Sequence, residues 1–222
     1  MGKFIVIEGT DCSGKETQSK LLVEKLEKMG KKAIRVTYPN YDSPTGKIIG
    51  GPYLGKEEIG TCWFPEGAVH VDPKVVSLYY AADRKYNEKI IRDYLEDDYF
   101  VICDRYVSSN MAHQGSKIRD DNERFNMYQW IDKLEYWLLG LPKPDKTIFL
   151  HVPYSYAFEL KKNRISLDEH EKSEEHLKNS EIAYLELASY YNWININCIN
   201  DDKIRTIEDI SDEIMDNLKE YL

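Results

Sequence analysis

The 222-residue chain has no paired cysteines, no excess of positive charge and no long apolar run. Its four cysteines, Cys12, Cys62, Cys103 and Cys198, form no C-x-x-C pair. That argues against a disulfide framework or a structural zinc site, and for a reducing, cytoplasmic compartment. Acidic residues outnumber basic ones, 39 to 30, giving a net charge of −9. A protein that neutralises phosphate backbones is normally basic, so no nucleic-acid partner is expected. Small phosphorylated ligands stay open, because a local basic cleft can sit inside an acidic protein. Five histidines, His70, His113, His151, His170 and His176, lack ligand spacing, so no bound transition metal is expected. The opening run Phe4 to Ile7 stops at Glu8 and lacks the parts of a signal peptide, and Val6 stands where a myristoylation signal needs Ser or Thr. No stretch approaches a membrane span, so no membrane partner is expected.

What is present is globular in composition, 42% hydrophobic and 31% charged. Five short β-rich apolar runs look like parallel strands buried on both faces: Phe4–Ile7, Ala33–Val36, Tyr99–Ile102, Thr147–Leu150 and Trp193–Ile196. Helical periodicity lies between them. Leu21, Leu22, Leu26 and Met29 share a face that Gly30 is placed to end, and Ile207, Ile210, Ile214 and Leu218 share another behind a Thr206 cap. Strands separated by helices predict an α/β fold with a central parallel sheet. Gly50 to Pro73, rich in Gly and Pro, reads as a loop-rich insertion. With no repeats or linker, one domain over residues 1–222 is expected. The dense charge between Lys161 and Lys178 reads either as a solvated helix face or as a basic lid.

Gly9-Thr10-Asp11-Cys12-Ser13-Gly14-Lys15 follows the first strand and precedes the first helix, the context that a phosphate-binding loop requires. Its glycines let successive N–H groups converge on phosphate oxygens, the helix N-terminus adds partial positive charge, and Lys15 reaches the β- and γ-phosphates of ATP. The motif usually continues with Ser or Thr, whose hydroxyl helps to hold Mg²⁺. Here Glu16 follows and the hydroxyl comes at Thr17; a helix turns about 100° per residue, so Thr17 does not replace it. Glu16 either reaches Mg²⁺, directly or through water, or points to solvent and favours the helix N-terminus.

Three further segments, Leu78-Tyr79-Tyr80-Ala81-Ala82-Asp83-Arg84, Cys103-Asp104-Arg105-Tyr106-Val107-Ser108-Ser109-Asn110 and Leu141-Pro142-Lys143-Pro144-Asp145, join the phosphate loop in an order that resembles the thymidylate kinases. The resemblance covers essentially the whole chain. It implies a three-layer P-loop kinase fold, with helices on both faces of the parallel sheet, and transfer of the ATP γ-phosphate to dTMP, giving dTDP, with Mg²⁺. It also implies a homodimer. Asp104 would act at the strand end toward Mg²⁺ and its water, and Arg105 would hold the acceptor phosphate with its guanidinium fork. Taken alone, such an Asp-Arg pair reads as a surface ion pair. Tyr80 would stack on thymine and Arg84 would bond the base; four apart, they share a helix face, although an aromatic at that spacing, taken alone, reads as core. Ser109 and Asn110 fall where the family contacts the base, with Gln114 nearby, and Asp11 matches an acid on the acceptor's sugar hydroxyl.

The chain departs from the family in two further places. Cys12 stands where some members carry an Arg, so the resemblance places that charge in the lid, on Lys161, Lys162 or, preferred here, Arg164. Cys12 itself reads as a small filler or as a thiol activated by the helix N-terminus. Tyr41 stands where an Arg usually meets the acceptor phosphate, leaving Lys47 or the Tyr41 hydroxyl to help. The alternatives are a P-loop kinase for another nucleotide or a nucleoside, or a catalytically weakened nucleotide-binding protein.

Overall fold

The computed structural model of the protein describes residues 2–161 and 174–222. Five parallel strands, β1 (Lys3–Gly9), β2 (Ala33–Thr37), β3 (Phe100–Asp104), β4 (Lys146–His151) and β5 (Ile194–Asn197), form one sheet in the order β2-β3-β1-β4-β5. The apolar runs read from the sequence are these strands. The central strands β1 and β3 are covered on both faces, whereas the edge strands β2 and β5 carry polar and more exposed residues such as Arg35 and Asn195. On β1, Phe4 and Val6 face one core with Val101, Phe149 and Tyr184, while Ile5 and Ile7 face the other with Leu22, Leu26 and Ile214. Alternation along the strands thus feeds two cores, one on each side, and the expected three-layer α/β fold follows.

Helices α1 (Lys15–Lys28) and α8 (Ile207–Asn217) pack on one face of the sheet; α3 (Pro73–Glu96), α4 (Val107–Gly115), α5 (Asp121–Asp132) and α7 (Glu174–Tyr190) lie on the other. Short helices α2 (Pro44–Ile48) and α6 (Tyr154–Lys161) join them. The Thr206 hydroxyl caps α8 by accepting from the Asp209 N–H, as its sequence suggests. Met29 and Ile207 depart from the expected apolar faces, because both are exposed. Met29 lies past the last turn of α1, before Gly30 at φ 77°, and Ile207 is the first residue of α8, so neither reaches the sheet. Tyr99 also falls outside its expected strand, held in the preceding turn by its N–H bond to the Tyr94 carbonyl.

The segment from Gly50 to Pro73 is more ordered than a loop-rich reading allows. It opens within a π-helical turn, Ile49–Tyr53, and carries a short 3-10 turn, Ala68–His70. Ile49, Tyr53, Leu54, Ala68, Val71 and Val76 bury a small core of their own beneath it. Its glycines hid that core from local reading.

Candidate active site

The carboxyl ends of β1 and β3 open onto a trough and a pocket, where a doubly wound sheet presents its ligands. The phosphate loop forms the trough floor. Gly9 is tightly enclosed: a Cβ there would stand 2.4 Å from Ser13 Oγ and 2.7 Å from the Leu150 carbonyl. Gly14, at φ 83°, caps α1 without any side-chain bond to the helix end. The first N–H groups of α1 therefore stay available to an anion. Cys12 takes a positive φ of 64° within the loop. Thr10 and Ser13 hold the cationic side chain, since Lys15 Nζ donates to the Thr10 carbonyl at 2.6 Å and lies 3.3 Å from Ser13 Oγ. Burial, reinforced by the Arg105 charge, pushes the Lys15 ammonium down to about 8.

Asp104 faces the trough, and its Oδ2 accepts from Arg35 Nη2 at 2.7 Å. Sequence reading missed Arg35; the only signal was a cation inside the apolar run of β2. Glu16 also borders the trough, but its side chain is exposed and paired with Lys20 at 2.6 Å, which favours the solvent-facing alternative. Thr17 lines the trough beside it. Lys47 lies exposed on α2, whereas Lys56 reaches the trough, with its ammonium 5.4 Å from the Tyr41 ring centroid. Of the two lysines, Lys56 and not Lys47 lines the trough.

Arg105 stands at the junction. Together with Asp11, Tyr38, Pro39 and Tyr41 it lines both the trough and the adjoining pocket. The residue adopts φ 66°, and its Nη2 meets Asp11 Oδ1 at 2.5 Å. Burial works against its charge, yet Asp11, Asp104 and Glu8 hold its pKa well above the ordinary value. Asp11, expected beside the acceptor's sugar, is paired here with Arg105.

The pocket on the far side of Arg105 is a cavity of about 90 Å³. Tyr80, Arg84, Ser109, Asn110 and Gln114 all line it, so the structure brings the sequence-predicted base contacts together. Tyr80 and Arg84 share a face of α3, with the guanidinium carbon 6.0 Å from the ring centroid. Gln114 is fully buried, and neither end of its amide has a partner. Ser109 is less free than its position suggested: its Oγ donates to Glu8 Oε2 at 2.6 Å. Glu8 also accepts the backbone N–H groups of Tyr106 and Ser109, anchoring the start of α4. Desolvation raises the Glu8 pKa above its ordinary value. Glu135, another residue missed by sequence reading, is wholly buried and grips Arg84 at 2.5 and 2.6 Å. Of the lid candidates, Lys162 and Arg164 lie outside the described residues, and Lys161 closes α6.

The profile of the thymidylate kinase family matches residues 7–214, which includes every strand end and loop just described. The chain belongs to the thymidylate kinase family. It is 35% identical to a probable thymidylate kinase of Methanocaldococcus jannaschii over 216 residues, covering 97% of this chain and 95% of that one. It is 33% identical to the thymidylate kinase of Plasmodium falciparum, covering 96% and 88% of the two chains. The solved thymidylate kinase of Candida albicans shares its fold at a TM-score of 0.73 and 24% identity, covering 99% of this chain and 92% of that chain. The family resemblance read from the phosphate loop and the Asp-Arg-Tyr segment is thereby borne out, as are the P-loop kinase fold and the phosphotransferase class.

Proposed function

We propose that the protein transfers the γ-phosphoryl group of ATP to the 5′-phosphate of dTMP, giving dTDP. One observation carries this reading: Arg105 belongs at once to the wall of the phosphate-loop trough and to the wall of the pocket. ATP bound along the trough would present its γ-phosphate toward Arg105, and a monophosphate in the pocket would present its own phosphate to the same guanidinium. The acceptor oxygen is already ionised, so the reaction needs no strong base and no covalent intermediate. Positioning and charge stabilisation suffice. Lys15 would hold the β- and γ-oxygens, Arg105 would bridge donor and acceptor phosphates, and Asp11 would fix the arginine fork. Tyr80 would stack on the base. Arg84, Asn110 and Gln114 would meet the base edge, and Arg164 would bring further charge from the lid.

The trough suits Mg²⁺ that arrives with ATP. Among the described residues no group of three or more His, Cys, Asp or Glu could hold a metal. Asp104 borders the trough, with Arg35 occupying one of its oxygens. One carboxylate oxygen plus phosphate oxygens and waters is a usual Mg²⁺ shell. When bound, the ion would neutralise charge on the β- and γ-oxygens.

A homodimer is supported by the outer face of α3, where Leu78, Ala82, Tyr86 and Ile90 are exposed at four-residue intervals, with Trp137 also exposed. A cytoplasmic location is supported by four cysteines that are all free thiols. No helix among the described residues is long and apolar enough to cross a membrane. A coupled assay for ADP release, run over a panel of nucleoside monophosphates with a no-acceptor control, tests the function. Release fastest with dTMP supports it; no acceptor-dependent release from protein that binds ATP would overturn it.

A further inference from the structure

Glu135 lies in the π-helical stretch Lys133–Leu138, outside every motif read from the sequence, and has no exposed surface. Its Oε2 accepts from Arg84 Nε at 2.5 Å; its Oε1 accepts from Arg84 Nη2 at 2.6 Å and from Asn110 Nδ2 at 2.9 Å. Asn110 Nδ2 also faces the Ser77 carbonyl at 3.3 Å. Two acceptors on that side dictate which end of the amide is nitrogen, and Asn110 Oδ1 is left with no protein partner. Arg84 gives one more hydrogen to the Tyr106 carbonyl, at 3.3 Å. Three of its five N–H groups are then engaged, and the fork cannot turn. Arg84 and Asn110 both line the acceptor pocket. Its wall therefore offers an N–H donor and a carbonyl acceptor, each locked by the same carboxylate.

We propose that Glu135 is the positioning residue that sets the base preference of this pocket. A pyrimidine with an imide edge presents an N–H beside a carbonyl, which complements an Asn110 acceptor and an Arg84 donor. An aminopyrimidine presents a bare ring nitrogen beside an amino group, which sets acceptor against acceptor and donor against donor. A mismatch of that kind leaves buried polar groups unpaired, and such groups discriminate strongly. Without Glu135 only the longer contacts to the Ser77 and Tyr106 carbonyls, both at 3.3 Å, oppose turning of the Asn110 amide and swinging of Arg84, and the pocket distinguishes the two edges less sharply. The inference rests on the proposed nucleoside monophosphate acceptor. A carboxylate that merely neutralised a buried arginine would, when altered, slow all acceptors alike.

The test is steady-state kinetics with dTMP and dCMP on the wild type, Glu135→Gln and Glu135→Asp, with ADP affinity of the phosphate loop as the check on folding. Glu135→Gln leaves one acceptor oxygen where the carboxylate has two, and a single amide oxygen cannot keep all three bonds. The KM for dTMP should rise about tenfold or more with a smaller change in kcat. The dTMP-to-dCMP ratio of kcat/KM should shrink by about the same factor. Glu135→Asp keeps the charge that compensates Arg84 but is one methylene too short to hold both partners, and it carries the test if the amide variant fails to fold. Variants that bind ADP normally and keep the wild-type ratio would overturn the inference, as would a wild type that accepts dCMP as readily as dTMP. A wild type that uses no monophosphate at all would instead remove the functional reading beneath it.

Discussion

Arg105 and Glu16 illustrate how differently two charged residues beside one ligand trough can be held. Arg105 is oriented by Asp11 and sits where two substrates would meet. Arg105→Ala should lower kcat about 10²–10³-fold, the loss typical of removing one preorganised donor to a developing charge. ATP binding, measured by calorimetry, should survive, because Lys15 and the loop N–H groups are untouched. Glu16 is turned toward Lys20 at the exposed start of α1. Glu16→Ser should leave the Mg²⁺ dependence of turnover unchanged; a shift of the Mg²⁺ optimum would show that this carboxylate swings inward.

At the level of elements, the 49–73 segment is tied to the turn after α4 by a half-buried cation. Lys117 Nζ lies 3.1 Å from the Val71 carbonyl, 3.2 Å from the Ala68 carbonyl and 3.3 Å from the Tyr53 hydroxyl. Desolvation lowers its pKa from 10.5 to about 8. Between those two values the unfolded chain holds a proton that the native state has released, so the Lys117 contribution to stability rises with pH across that window. The gain should be on the order of 2 kcal/mol. Urea unfolding of wild type and Lys117→Met at pH 7.5 and pH 10 checks it: the variant should lack that increment. The same long-range tie is why this segment escaped local reading. Its core is held by Tyr53, Val71 and a lysine 64 residues from Tyr53 in sequence, so no periodicity within the segment announces it.

Across the molecule, the outer face of α3 leaves large apolar side chains in solvent, and a second copy is the proposed cover. Placing a like charge on that face of both copies should separate them. Leu78→Glu combined with Tyr86→Glu should elute as a monomer by size exclusion with light scattering, where the wild type is expected to elute as a dimer. Tyr80 and Arg84 lie on the same helix but turn inward, so weakened acceptor binding in that variant would show that association helps to shape the pocket.

The architecture was legible because it is locally encoded. Alternating strands and helices announce themselves by period, and a phosphate loop needs only a strand, two glycines, a lysine and a helix in succession. Residues that line the pocket were also legible in part, since Tyr80 with Arg84 and Ser109 with Asn110 fall within single helices. What holds those residues was not. Glu135 reaches Arg84 from 51 positions away, Asp104 meets Arg35 from 69, and Asp11 meets Arg105 from 94. Ordinary charged residues carry no mark in a sequence that says which of them will be buried opposite one another. Only the folded sheet and its helices bring such groups within hydrogen-bonding distance, and desolvation there turns an ordinary glutamate into the group that orients a binding pocket.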